Sequence, residues 1–268
     1  MKGIDLTGKI ALVCGAGAGG IGSATSRMLI ESGATLFAID RDQALVDALE
    51  AELGDLDGRF AGMAADLTDR EQAGAILPAV KARFGRLDCL VNIAGGNPAA
   101  HWRAFEDATD DLFDDSISLN LGYVFCLCRD AGRLMIDAGQ GGAIVNVASI
   151  SAFAGAPYHG VYGAAKAGVM ALGRTMASEW HRHGIRVNAV APGTVRTPRM
   201  MASSGGHLGS GRPSVTPDQV ASAILFLLSD LAAGVSGQTL LVDGGISTAH
   251  PCGTLAEFEL TSHARSSD

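Results

Sequence analysis

A chain of 268 residues with 20 basic against 28 acidic side chains carries a net charge of −8, which repels nucleic acid and anionic membrane surfaces instead of recruiting them. The 47% hydrophobic content is enough for one sizeable core, and the chain has neither a run of about 18 apolar residues to span a membrane nor a Pro/Ser-rich linker to divide it. Five cysteines, Cys14, Cys89, Cys126, Cys128 and Cys252, are odd in number and mostly set in apolar runs, which disfavours a disulfide framework or a zinc site and fits a reducing cytoplasm. Small-molecule chemistry is left as the expectation. The 36 glycines, about 13% of the chain against a usual ~7%, imply many tight turns.

In chain order, Lys2 and the apolar residues after it faintly imitate an export signal, but Asp5 interrupts them and residues 9–14 (KIALVC) read as a buried first strand. Gly15, Gly17, Gly19, Gly20 and Gly22 then lead into a helix starting near Ile21. A strand, a glycine turn and a helix N-terminus let a pyrophosphate approach backbone N–H groups at the positive end of the helix dipole. Residues 35–39 form a second strand ending at Asp40, whose carboxylate can accept from an adenosine ribose or cap the next helix. Its charge repels a 2′-phosphate, which favours NAD over NADP, whereas the neighbouring Arg41 could pair with one. Residues 60–65 and 87–93 read as further strands, and the acidic run 106–115 as the opening of a long helix.

The next strand, 143–147, ends just before Ser149. Tyr162 and Lys166 follow, four apart in an alanine-rich helix, so both project from one face. A cation beside a phenol favours phenolate, so the pair is expected to move protons nearer neutral pH. Ser149 can hydrogen-bond the substrate oxygen that the tyrosine touches. His181 and His183 sit near a helix end, where interaction with the dipole is expected and a metal site is not. Residues 185–190 give a strand, 217–229 a helix and 240–245 a last strand and turn.

Taken together, the glycine turn, Ser149, Tyr162 and Lys166 resemble the short-chain dehydrogenase/reductase family from about Leu6 to Ser247. The resemblance implies one α/β domain over residues 1–250, a doubly wound Rossmann fold with a roughly seven-stranded parallel sheet and helices on both faces. Residues 251–268 form a tail of unassigned role. In the family's pattern Gly15, Gly20, Ile21 and Gly22 hold the cofactor, although four residues separate Gly15 from Gly20, one more than usual, and Cys14 stands where a threonine is common. Asp66 and Leu67 match the pair beside the adenine. Asn92, Ala94 and Gly95 match the Asn-x-Ala-Gly motif that supports the sheet and borders the cofactor. Asn120 matches the active-site asparagine that holds a water linking the lysine to solvent. Pro192, Gly193, Val195 and Thr197 match the Pro-Gly segment that holds the nicotinamide carboxamide and a phosphate, while Lys166 also holds ribose hydroxyls.

The implied activity is reversible, NAD-dependent interconversion of a secondary alcohol and a ketone, catalysed by Asn120, Ser149, Tyr162 and Lys166. Ser151, Phe153, Ala154, Tyr158 and His159, with Met200 and Met201 on a Gly/Ser-rich lid at about 196–215, are expected to meet the substrate. Few carry charge, so an uncharged, largely apolar molecule is expected, alicyclic rings included. Arg103, Arg196, Arg199 and Arg212 are the nearest cations that could meet an acid instead. Family members commonly form homotetramers through the helices carrying Asn120 and Tyr162 and through the last strand, and Ala164, Ala167 and Ala171 offer a small helix face for such a contact. A catalytically silent NAD sensor or scaffold is the alternative from another class. Sugar-nucleotide dehydratase or epimerase chemistry is a third, for which the C-terminal region leaves little room.

Overall fold

A computed structural model describes residues 3–17, 19–54, 56–203 and 214–248. Seven strands form one sheet in the order β3-β2-β1-β4-β5-β6-β7, with every neighbouring pair parallel. They are β1 (Ile10–Cys14), β2 (Thr35–Asp40), β3 (Phe60–Ala64), β4 (Cys89–Asn92), β5 (Gly142–Val147), β6 (Ile185–Pro192) and β7 (Thr239–Val242). Alternate side chains of the inner strands divide between two cores, as a sheet covered on both faces requires. Ala11, Val13, Val91 and Val145 face α1 (Ile21–Glu31), α2 (Gln43–Leu53) and α8 (Pro217–Leu228). Leu12, Leu90, Ile144 and Val187 face α3 (Arg70–Phe84), α5 (Tyr123–Ala138) and α6 (Gly160–Trp180). This is the expected doubly wound fold, and the strand order reverses between β1 and β4, where such sheets open a ligand crevice.

Local chemistry corrects two readings. The acidic run does not open one continuous helix: Phe105–Asp107 makes a short 3₁₀ turn, and α4 (Asp110–Ile117) begins only where Thr109 Oγ1 accepts from Leu112 N at 3.2 Å. Asp40 does not cap α2. Asp42 does, accepting from Ala44 N at 3.0 Å, which leaves the Asp40 carboxylate for the glycine turn. Between α4 and α5, Ser118–Gly122 widens into a π-helical segment containing Asn120. Of the segment read as a lid, Pro198–Ser203 forms α7, while residues 204–213, including Arg212, lie outside the described residues, as do Cys252 and the tail 251–268. Asp88 is structural, accepting from Ile10 N at 2.8 Å and pairing with Arg86. Among the described residues no helix is long and apolar enough to cross a membrane, and no group of three or more His, Cys, Asp or Glu could hold a metal.

Candidate active site

The crevice begins at the turn after β1. Gly15 adopts φ +87, and a Cβ there would lie 2.6 Å from Ala94 N; a Cβ on Gly22 would lie 1.8 Å from the Gly15 carbonyl oxygen. Glycine at both positions is therefore what lets α1 start against the strand ends. No side chain caps α1, whose first N–H groups stay open to an anion. Asp40 Oδ2 accepts from Gly17 N at 2.9 Å and Oδ1 from Arg41 N at 2.8 Å, so the carboxylate is fixed at the edge of this turn. Asp66 is held by Thr68, whose hydroxyl and N–H bond its Oδ1 at 2.6 and 2.9 Å; these bonds, helped by the charge of Arg41, lower its pKa despite partial burial. Buried Leu67 packs beneath it in the α3 core. From the other side, Thr197 comes up against the turn: a Cβ on Gly20 would lie 3.7 Å from Thr197 Cγ2. Thr197 N donates to Val195 O at 2.8 Å, and its hydroxyl accepts from Met200 N at 3.1 Å, capping α7. Gly193 follows Pro192 at the end of β6, where a Cβ would meet Asp243 Cβ at 2.9 Å.

Asn92 is fully buried and its amide donates to Asn146 Oδ1 at 2.8 Å, tying β4 to β5 inside the sheet. Ala94 and Gly95 turn toward the crevice, and Tyr123 Oη donates to Ala94 O at 2.7 Å. Asn120 clamps the same turn, accepting from Gly96 N at 2.9 Å and donating to Gly96 O and Ser116 O, each at 3.1 Å. A Cβ on Gly95 would lie 2.6 Å from Asn120 Oδ1 and 3.5 Å from Lys166 Nζ, so the asparagine and the lysine meet over this one glycine.

The residues expected to carry the chemistry stand beside them. Ser149 follows β5, accepts from Ser151 N at 3.1 Å and stands next to the Tyr162 phenol, whose charged form its hydroxyl favours. Lys166 is 2% exposed, and its ammonium donates to Val147 O at 2.9 Å and lies 5.8 Å from the centre of the Tyr162 ring. The phenol and ammonium do share a face, as their spacing predicts, but the expected lowering of the phenol is not found. Burial raises the Tyr162 pKa more than the Ser149 hydrogen bond lowers it, and burial pushes Lys166 down to about 8. The reason is geometric: the lysine reaches past the tyrosine to a strand carbonyl.

Tyr162 opens into a cavity lined also by Asn97, Arg103, Leu112, Ser116 and His159. Tyr158 and His159 reach it, as the sequence predicts, whereas Ser151, Phe153, Met200 and Met201 do not line it. Phe153 is half exposed, as is Trp102. Of the wall from Asn97 to Phe105, sequence reasoning named only Arg103; the signal for the rest is that NPAAHWRAF directly follows the Asn-x-Ala-Gly turn.

A sheet crevice edged by a glycine turn, with a serine, a phenol and a buried ammonium at its open end, defines a dinucleotide-binding protein equipped for proton transfer. A family model described as enoyl-(acyl carrier protein) reductase matches residues 15–247. The chain is 38% identical to D-threitol dehydrogenase of Mycolicibacterium smegmatis over 247 residues, 90% of this chain and 93% of that protein. It is 36% identical to a 2,5-dichloro-2,5-cyclohexadiene-1,4-diol dehydrogenase of Sphingobium indicum over 256 residues, 91% of this chain and 98% of that one. The crystal structure of levodione reductase superposes with a TM-score of 0.84 at 31% identity, covering 91% of this chain and 100% of that one. The chain belongs to the short-chain dehydrogenase/reductase family. It is an oxidoreductase for CH–OH groups, and the family works with a nicotinamide cofactor. The residues here fit one: the cradle at Gly15 and Gly22 is closed to any side chain, Asp40 borders it, and Thr197 faces it.

Proposed function

We propose that the protein is an NAD-dependent dehydrogenase that interconverts an uncharged, compact secondary alcohol and its ketone, alicyclic rings included. The observation that carries this reading is that Tyr162, next to Ser149, lines a cavity with Phe105, Leu112 and Val161 on its walls. The cyclohexadiene-diol dehydrogenase and levodione reductase, similar along nearly their whole lengths, support a CH–OH or carbonyl on a small ring. In the oxidation direction Ser149 holds the substrate oxygen and Tyr162 Oη takes its proton. An oxidised nicotinamide supplies the hydride acceptor and a positive ring charge that favours the phenolate. Lys166 adds the second positive charge and holds the ribose, and Asn120 keeps the Gly95–Gly96 turn in place beside it.

NAD is preferred over NADP in this reading because Asp40 is held by Gly17 N and Arg41 N and keeps its charge at the ribose edge, while the Arg41 charge is partly spent on Asp66. The test compares kcat/KM for NAD and NADP with a cyclic secondary alcohol, in the unmodified enzyme and in Asp40→Ser. The expected outcome is a preference for NAD of about a hundredfold that Asp40→Ser narrows by roughly tenfold. Comparable values for the two cofactors in the unmodified enzyme would give the pocket to Arg41.

The same reading includes a homotetramer. Ala164 and Ala171 are exposed on α6, Phe125 is half exposed on α5, and Leu240 and Leu241 are 40% and 38% exposed on β7, apolar surface suited to a second copy. A reducing cytoplasm suits Cys14, Cys89 and Cys128, which are free and buried.

A further inference from the structure

The cavity beside Tyr162 contains a polar pair that the proton transfer does not use. Asn97 Nδ2 and His159 Nδ1 lie 2.5 Å apart. An amide NH₂ has no acceptor, so His159 Nδ1 is the acceptor and the ring proton sits on Nε2. That leaves two donors, His159 Nε2–H and the second Asn97 amide N–H, and one acceptor group, Asn97 Oδ1, with no other protein partner among the described residues. Turning the amide over would exchange the roles of the pair and still leave both donor and acceptor capacity.

The pair is built into the wall. Trp102 Nε1 donates to Asn97 O at 3.1 Å, and the Trp102 ring leans on the His159 ring with centroids 5.0 Å apart. Arg103 N donates to Tyr158 O at 3.4 Å, joining the segment after β4 to the segment before α6. Tyr158 takes φ +66, a left-handed conformation that an aromatic residue adopts only when its surroundings impose it, and the residue so delivered is His159. His159 precedes Tyr162 by three residues at the entry to α6, so both stand on the same side of the helix start, and both line the cavity.

We propose that Asn97 and His159 form a second oxygen subsite, which takes a hydroxyl or carbonyl oxygen of the substrate remote from the carbon that Tyr162 serves. A free donor beside a free acceptor matches a hydroxyl, which does both; a carboxylate, which only accepts, would be opposed by Asn97 Oδ1. Burial holds His159 below its ordinary pKa, so at neutral pH the ring stays uncharged and offers a neutral partner to a neutral oxygen. The preferred substrates are therefore diols, hydroxyketones or diones with oxygens on opposite sides of a compact carbon frame. This rests on the dehydrogenase reading above and adds its selectivity. The apolar face of Phe105 and Leu112 meets the frame, and the polar pair sets its orientation.

The test measures kcat and KM for cyclohexane-1,4-diol and for cyclohexanol in the unmodified enzyme, in His159→Phe, which keeps a ring for Trp102 to lean on, and in His159→Gln, which keeps a donor near Nε2. After allowing for a statistical factor of about two for the paired hydroxyls, the diol is expected to be favoured by about tenfold or more in kcat/KM. His159→Phe should bring that ratio close to one, mainly through the KM of the diol, and His159→Gln should restore most of it. Asn97→Ala, which leaves the ring in place, should lower the ratio several-fold and gives the same reading if His159→Phe does not fold. Equal use of the two alcohols by the unmodified enzyme, or a His159→Phe loss that is the same for both, would overturn the subsite while leaving the dehydrogenase intact. Turnover of neither alcohol, or of other secondary alcohols, would overturn the dehydrogenase reading and the subsite with it.

Discussion

Replacing Tyr162 with Phe is expected to lower kcat by about a thousandfold while the affinity for NADH stays within a few-fold. The substitution removes one oxygen and leaves the ring, so the contact between the Lys166 ammonium and the aromatic face, 5.8 Å from its centre, survives. What is lost is the atom that stands next to Ser149 and that, in the proposed reaction, takes the substrate proton. None of Ser149, Lys166 and Asn120 is placed to replace it. Ser149 is a poor base, the Lys166 ammonium is turned to the Val147 carbonyl, and the Asn120 amide is bonded to the backbone of Gly96 and Ser116. Steady-state turnover together with a fluorescence titration of NADH separates the two effects. A kcat close to that of the unmodified enzyme would remove Tyr162 from the chemistry.

Lys166→Met should do two opposite things: abolish turnover and make the fold more stable. Lys166 is 2% exposed and its ammonium donates to the Val147 carbonyl, so it is desolvated, and among the described residues no carboxylate compensates it. Its pKa falls from 10.5 to about 8. Below about pH 8 both folded and unfolded chains carry the proton, and the full penalty of burying it is present. Between about 8 and 10.5 the unfolded chain binds more protons than the folded one, so this residue's contribution makes stability rise with pH across that window. Methionine, similar in length and apolar, removes the penalty and should add on the order of 2 kcal/mol at neutral pH. Denaturant unfolding of both proteins at pH 7 and pH 10 checks the sign, because the advantage of the variant should shrink at the higher pH. A variant less stable than the parent at pH 7 would mean that the lysine is a net structural asset.

The inner strands were legible because both faces of the sheet are covered there, so they are short, mainly apolar runs, and the glycine turn was legible because only glycine tolerates the approach to Ala94 and to the Gly15 carbonyl. Tyr162 and Lys166 were legible as a pair on one helix face. Spacing alone carried no information on where the lysine ends, at Val147 O, or on how deeply the phenol is buried, and it is that burial which raises the phenol's pKa. In the same way Asp40 could be read as a helix cap, and only the path of the chain gives that role to Asp42 and turns Asp40 to Gly17 N. The pairing of His159 with Asn97 and Trp102 was invisible for a different reason. It joins residues some 60 positions apart through side-chain contacts, which no local pattern records.

The central claim is that Tyr162 takes a proton from an alcohol while the carbinol hydrogen passes to the cofactor, and the direct test follows that hydrogen. The purified protein, incubated with NAD and a cyclic secondary alcohol deuterated at the carbinol carbon, should yield one ketone for each NADH formed, with the deuterium at C4 of the nicotinamide ring. Ketone formed without deuterium in the NADH would contradict the account, and so would NAD bound tightly with no alcohol in a broad panel oxidised, the result that a catalytically silent NAD sensor would give.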